Sequence, residues 1–126
     1  MAKIDFNLNE FMSGYFVCMT VTTQCANTVS VKLLKGTSVI LSANKTDSSK
    51  ALKVVAQNNT TLSAAGPVLT IDVQNATKLE HSRISGLIAD ERARRVGFIY
   101  DFCVEIGDNE LMNDIYVNIV GWERKG

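Results

Sequence analysis

The residues best suited to chemistry gather in one short stretch near the end of the chain. Residues 101–114 read DFCVEIGDNELMND and contain five carboxylates, two asparagines and no basic side chain. Calcium takes about six to eight oxygen ligands from such carboxylates, amides and carbonyls, at flexible geometry. Gly107 would let the backbone turn sharply inside the stretch. Because crowded like charges repel each other unless solvent or a cation compensates them, the composition predicts either a calcium site or a solvated acidic turn.

The net charge of the whole chain conceals this local excess. The 126 residues carry 13 basic and 13 acidic side chains, for a formal net charge of zero. The first 100 residues hold 11 basic and 7 acidic side chains, whereas the last 26 hold 2 and 6. Nucleic-acid binding depends on a basic excess, so we expect no nucleic-acid partner.

Catalytic machinery is hard to assemble from the remaining residues. His81 is the only histidine, and the polar stretch TKLEHSR around it predicts a solvated loop residue rather than the base of a catalytic pair. The sequence contains no glycine-rich phosphate loop and no zinc-type spacing of cysteine and histidine. Two tail carboxylates would hydrolyse glycosides only if they were suitably positioned, which their spacing does not indicate. We predict that the protein is not an enzyme.

Alternating apolar and polar residues predict the elements that position the acidic stretch. TVSVKLL at 28–34, PVLTIDVQ at 67–74 and DIYVNIVGW at 114–122 each repeat with a period of two. Breaks rich in asparagine, glycine and polar residues separate such segments about every ten residues. The charged segment ADERARR at 89–95 lacks an apolar stripe and predicts a turn or charged loop, whose arginines are solvated or touch an acidic or phosphate partner. The pattern predicts one all-β domain over residues 1–126, an antiparallel, jelly-roll-like β-sandwich of about nine strands.

The start of the chain and the cysteines indicate the compartment. Asp5 and Glu10 interrupt any apolar core of a secretory signal, and no segment approaches the roughly 18–20 apolar residues of a membrane span. Cys18, Cys25 and Cys103 are odd in number, so we expect reduced, mostly buried thiols. These features predict a cytoplasmic protein, or one released without a signal peptide, that does not insert into membranes.

The end of the chain resembles that of the bacterial calcium-mediated fucose- and mannose-binding lectins. EIGDNELMND, from Glu105 to Asp114, is followed by an apolar strand, a tryptophan and a glycine, where the family loop has the form E-D-G-T-D-x-D-Y-N-D. Glu105 matches the family's glutamate, Gly107 its glycine, Asn109 its first ligand aspartate, and Asn113 with Asp114 its N-D pair. The resemblance implies a nine-stranded antiparallel sandwich in which calcium ions in this loop bind sugar hydroxyls directly.

Two more residues enter through the same resemblance. Gly126 corresponds to a C-terminal glycine whose carboxylate, supplied by a neighbouring subunit, completes the site, and this implies a homo-oligomer. Asn27 lies near a loop asparagine that also ligates calcium. Leu111 stands at the family's central aspartate and Met112 at its tyrosine, so the loop has fewer ligands than the family pattern. We expect one ion rather than two where acids elsewhere in the loop compensate.

The resulting predictions are specific. The expected calcium ligands each offer an oxygen: Glu105, Asp108, Asn109, Glu110, Asn113, Asp114, Asn27 and Gly126. The residues expected at the sugar as well are Asn109, Asn113, Asp114 and Gly126. The sequence thus predicts a lectin-like protein that binds a fucose- or mannose-like glycan through calcium. The alternative is a non-catalytic structural or assembly sandwich whose acidic loop binds no metal.

Overall fold

Nine strands make up the regular structure of the chain, seen in a computed structural model that describes residues 1–107 and 109–126. In chain order they are β1 (Ala2–Asn7), β2 (Phe16–Thr23), β3 (Val29–Lys35), β4 (Ser38–Lys45), β5 (Lys53–Thr61), β6 (Val68–Val73), β7 (Leu79–Ala89), β8 (Arg95–Ile106) and β9 (Ile115–Trp122). Within these described residues, no helix is long and apolar enough to cross a membrane.

The strands form two antiparallel sheets. One has four strands in the order β1-β6-β3-β4, and the other has five in the order β5-β2-β9-β8-β7. Every strand pair is antiparallel. The predicted all-β antiparallel sandwich is therefore confirmed.

The core lies between the sheets and follows from the period of two. In β2, Val17, Met19 and Val21 are buried while the residues between them are partly exposed. Val21 pairs with Val117 of β9, and Met19 pairs with Ile119, so that buried residues of neighbouring strands share a face. Full burial of each such side chain contributes about 1.5–3 kcal/mol to the stability of the fold, which explains why the alternating segments form strands.

The connection between β7 and β8 is a turn, as predicted for the segment ADERARR. Asp90 Oδ1 accepts hydrogen bonds from the backbone N–H groups of Arg92 (2.8 Å) and Arg94 (3.0 Å). These contacts, with the Arg94 guanidinium, hold the pKa of the Asp90 carboxyl below its usual value. The next arginine, Arg95, instead forms an ion pair with Glu10 across 3.1 Å. The guanidinium groups of Arg94 and Arg95 thus have acidic partners within the chain.

Two local predictions are wrong, and both concern outermost strands. His81 lies in β7 rather than in a loop, although it is exposed as expected. The asparagine- and glycine-rich break NNTTLSAAGP, at residues 58–67, begins later than predicted, because its first four residues continue β5 to Thr61 and pair with β2. A strand at the edge of a sheet has little to bury, so it lacks the apolar alternation by which central strands are recognised.

Candidate functional site

The first half of the acidic stretch, residues 101–106, lies in β8 and the rest connects β8 to β9 at one end of the sandwich. Glu105 is the buried acid among its described residues. This residue is the penultimate one of β8 and is only 1% exposed. Its Oε1 accepts a hydrogen bond from the backbone N–H of Asn113 across 3.3 Å. A carboxylate is thus held inside the end of the sandwich, an arrangement that costs free energy unless the charge is compensated.

Asp114 is held against Glu105 by backbone contacts from both directions. Its backbone N–H donates to Val104 O (3.1 Å), and its Oδ2 accepts from the backbone N–H of Ile106 (2.7 Å). Its carbonyl accepts from the backbone N–H of Gln24, just after β2, at 2.9 Å. Since the last residues of β8 and Gln24 after β2 both hold it, Asp114 has a fixed position.

Burial and the neighbouring Asp114 both affect the protonation of Glu105. Burial raises the pKa of the Glu105 carboxyl, and the hydrogen bond and negative charge of Asp114 raise it further. Backbone N–H groups of Asn113 and Met112 oppose this rise because they stabilise the carboxylate. In the part of the chain that the structure describes, neither carboxylate forms an ion pair. The site is an acidic pair, one member buried and the other half-buried, suited to a cation.

Residues 109–111 of the predicted loop are exposed. Asn109 Oδ1 accepts from the backbone N–H of Leu111 at 3.0 Å, and the Leu111 side chain is 66% exposed. Glu110 and Met112 have positive φ values of 61° and 52°, a conformation that side-chain-bearing residues rarely adopt. Asp108 lies outside the described residues. Asn109 and Glu110 therefore share the loop with the acidic pair without being packed against it.

Asn27 lies among contacts that involve its neighbours rather than the acidic loop. Its Nδ2 donates to Gln74 O (2.9 Å), and its carbonyl oxygen accepts from Lys45 Nζ (3.2 Å). The Lys45 side chain is fully buried, and its ammonium also donates to Asp47 O at 2.6 Å. The carbonyl of Asn27 thus already binds a cation, that of the lysine.

Gly126 is placed far from the acidic loop of its own chain. β9 begins directly after Asp114 and ends at Trp122, and eight residues of strand extend about 25 Å. Gly126 follows beyond that far end. The glycine and the loop can therefore meet only between two copies of the chain.

Sequence reasoning missed two residues of this end. Lys45 is in phase with the buried Leu41 and Ala43 of β4, so the alternation itself marked it as an inward-facing lysine. Gln24 donates from Nε2 to Asn113 O at 2.6 Å, so that a side chain 89 positions away also holds the loop. Nothing in the local sequence signals that second contact.

Cys25 joins the same end of the molecule. It is 5% exposed, and burial raises the pKa of its thiol. The backbone N–H of Asn27 and the charge of Lys45 lower this pKa, while the charge of Asp114 raises it. One positive and one negative side chain therefore act on the same thiol. Among the described residues, no group of three or more acids, cysteines or histidines is arranged to hold a metal ion.

Several solved structures similar to this one are bacterial lectins. The chain is similar to a high-affinity mannose-binding lectin of Ralstonia solanacearum, with a TM-score of 0.64, 14% identity, and 92% of this chain and 93% of that chain covered. It is also similar to a Chromobacterium violaceum lectin in complex with alpha-methyl-fucoside (TM-score 0.59, 14% identity, 92% and 93% covered). A third is the C-terminal domain of a Burkholderia cenocepacia lectin (TM-score 0.66, 13% identity, 96% and 97% covered).

The chain has the fold of these lectins. The resemblance seen at the end of the sequence is thus confirmed at the level of the whole fold, over more than nine-tenths of the chain. No protein-family profile matches the sequence, and no curated protein matches it significantly. At 13–14% identity, the likeness is one of architecture, and the loops are where sequences with one architecture differ.

Proposed function

We propose that the chain is a non-catalytic carbohydrate-binding protein, with its site at the loop between β8 and β9. The pair formed by the buried Glu105 and the half-buried Asp114 carries the proposal, because two adjacent carboxylates without an ion-pair partner in the described chain offer oxygen ligands to a cation. The shared fold supports it, since the similar solved structures are described as lectins. The proposal therefore rests on a site and a fold that agree.

Calcium is the cation we propose. Both carboxylates are oriented by backbone N–H groups, so they are preorganised for a hard cation that prefers oxygen ligands. The asparagines Asn109 and Asn113 add neutral oxygens, with Asp108 and Glu110 as further predicted ligands. Leu111 and Met112 bring none, so the loop suits one ion. Calcium bound here would supply open coordination positions for sugar hydroxyls, with Asn109, Asn113 and Asp114 beside them.

The sugar we propose is fucose- or mannose-like. One similar structure is described as mannose-binding, and another holds alpha-methyl-fucoside. The Gly126 carboxylate would join the site from a second copy, because it cannot reach the loop of its own chain. The proposed active form is accordingly a homo-oligomer.

Calcium titration with thermal unfolding tests the metal. A ligand at about a hundred times its Kd stabilises the folded state by about 2.7 kcal/mol, so calcium should raise the melting temperature of the wild type. Glu105→Gln keeps an acceptor for the Asn113 N–H but removes the charge, so it should abolish the calcium response. Glu91→Gln, in the exposed β7–β8 turn, is the matched control and should respond like the wild type.

Sugar binding is measured by calorimetry with methyl α-fucoside and methyl α-mannoside, with calcium and with chelator. We expect binding only with calcium, and none in Asp114→Asn. Two results together would contradict the proposal. The melting temperature would not change with millimolar calcium, and sugar binding would be the same in Glu105→Gln and Asp114→Asn as in the wild type.

One observation favours the metal-free assembly protein as a second candidate. Lys45 places a buried ammonium at this end of the sandwich, bound to two backbone carbonyls. A cation that belongs to the chain would give the end rigidity without calcium. Light scattering separates the two candidates, because this alternative predicts an oligomer that chelator leaves intact.

A further inference from the structure

β7 extends past the edge of the opposite sheet. The sheet that contains it has five strands and the facing sheet has four, whose outermost strand on this side is β1. His81 and Arg83 pair with Val104 and Phe102, and directly paired residues share a face. Those two partners are at most 1% exposed, yet His81 and Arg83 are exposed. The core-side face of β7 is therefore open where β1 ends the facing sheet.

The open face forms one wall of a groove of about 440 Å³ between β7 and β1. Asp5 and Asn7 of β1, and Asn9 after it, line the other wall. The groove is as large as many small-molecule sites, which range over about 300–1,000 Å³. It lies between strand edges of the two sheets and involves none of the residues of the acidic loop.

The floor of the groove is rigid and aromatic. Phe6 is 4% exposed and stacks on Phe102 with ring centroids 4.1 Å apart. His81 packs edge-on against Phe6, with centroids 5.0 Å apart and ring planes at 78°. The imidazole is thus held by a core aromatic although one side of it meets solvent. A group held in place before binding loses less entropy when a ligand arrives.

The walls carry both signs of charge together with neutral amides. Asp5 accepts a hydrogen bond from Thr70 Oγ1 at 2.8 Å, which fixes its carboxylate. Within the described part of the chain, Arg83 has no carboxylate partner. Asn7 and Asn9 each offer a donor and an acceptor. The residues that line the groove include one acid and one arginine, whose formal charges cancel, and Lys3 Nζ lies 3.9 Å from Asp5 Oδ2 outside that lining.

We infer that this groove is a second binding site, independent of metal, for a neutral sugar residue. Carboxylate, guanidinium and amide groups are planar and can each bind two adjacent hydroxyls by paired hydrogen bonds. A sugar offers such hydroxyls around one ring and carries no charge to compensate. The site is separate from the calcium site proposed above and stands whether or not that one exists.

The chain provides its own reporter for the test. His81 is the only histidine, so its imidazole C–H signals in a proton NMR spectrum need no assignment. We would titrate methyl α-mannoside, methyl α-fucoside and methyl β-galactoside, each to about 50 mM, in the presence of chelator. At least one should shift the His81 signals saturably, and it should do so equally in Glu105→Gln, which lacks the proposed calcium site.

Matched variants decide whether the groove is responsible. Arg83→Gln and Asp5→Asn each remove a charged hydrogen-bonding group and should weaken binding by about tenfold. Arg92→Gln, in the exposed turn, should leave the affinity unchanged. Aliphatic signals that match the wild type show that each variant is folded.

Three results would overturn the inference. In the first, none of the three sugars shifts the His81 signals. In the second, a sugar shifts them in Arg83→Gln and Asp5→Asn as strongly as in the wild type. Alternatively, inorganic phosphate shifts them where the sugars do not, which would make the groove an anion site. Failure of calcium binding elsewhere changes none of these readings, because the titration is carried out without calcium.

Discussion

Substitution of Gly97 by alanine tests how closely the paired strands β8 and β9 approach each other at the end far from the acidic loop. A Cβ at Gly97 would stand 2.3 Å from the carbonyl oxygen of Gly121 and 3.3 Å from Trp122 Cα. Ordinary contacts of this kind begin near 3.4 Å, so the strands would have to separate by about 1 Å. The nearest obstacle is backbone, which cannot move aside as a flexible side chain can. We expect local loss of pairing in the hairpin that carries Glu105 and Asp114.

The magnitude follows from two costs. Overpacking typically costs about 1–3 kcal/mol, and a lost ladder hydrogen bond adds about 1 kcal/mol. Gly97→Ala should therefore lower the free energy of unfolding by about 3 kcal/mol. For a domain of this size, that corresponds to a fall in melting temperature of about 10 °C. Circular dichroism during thermal and urea unfolding measures both quantities.

Gly86 offers the matched control on the neighbouring strand. A Cβ there meets no heavy atom within 4 Å, and its φ lies outside the left-handed region. Gly86→Ala should be neutral or stabilise by about 0.5 kcal/mol, because alanine loses less backbone freedom on folding. A Gly97→Ala variant within about 0.5 kcal/mol of the wild type would refute the reasoning. An equal fall in the free energy of unfolding of Gly97→Ala and Gly86→Ala would also refute it, since a general effect of replacing glycine would then explain both.

Three further predictions concern the end of the sandwich near Lys45. Lys45→Met should lower the free energy of unfolding by about 2 kcal/mol in urea titrations, because two carbonyl oxygens lose their buried donor. Hydrogen bonding from Lys53, and from the Ser49 N–H, lowers the pKa of Asp47 to about 2 from 3.8, so its contribution to stability is complete above about pH 4 and lost towards pH 2. The difference in melting temperature between the wild type and Asp47→Asn should accordingly vanish across that window. Cys25 should react with iodoacetamide more slowly than the other two cysteines, because it is buried and its thiol pKa is raised, as mass spectrometry of the labelled peptides would show.

The central strands were predictable because the alternation of apolar and polar residues in their own sequences shows which side chains are buried. The segments that became β3, β6 and β9 alternate cleanly, and these strands face the core. β1 gives almost no such signal, since only Phe6 of its six residues is fully buried. Its partner β6 lies more than sixty positions away, so its pairing depends on tertiary structure. Strands that bury one residue at a sheet edge cannot be read from their own sequence.

The candidate site divides in the same way. The acidic composition of the loop located Glu105 and Asp114, whose side chains are next to each other in the structure. The burial of Glu105 was not predictable, because it depends on how the end of β8 packs. Lys45 and Gln24 reach this end from other strands and loops, at sequence separations of tens of residues. The composition of a segment therefore shows where charged residues lie. The residues that contact them depend on how distant strands pack together.

β7 has one more consequence, for the behaviour of the protein at high concentration. Its eleven residues pair only with β8, so one row of backbone donors and acceptors stays open. Such an edge can template the addition of another chain unless charged side chains interrupt it. The first half of β7 contains the charged residues Glu80 and Arg83, which oppose such pairing. The second half has no charged residue, and it contains Leu87, which is 54% exposed. The stretch from Ile84 to Ala89 is therefore where we expect aggregation to begin, and where one added lysine would best prevent it.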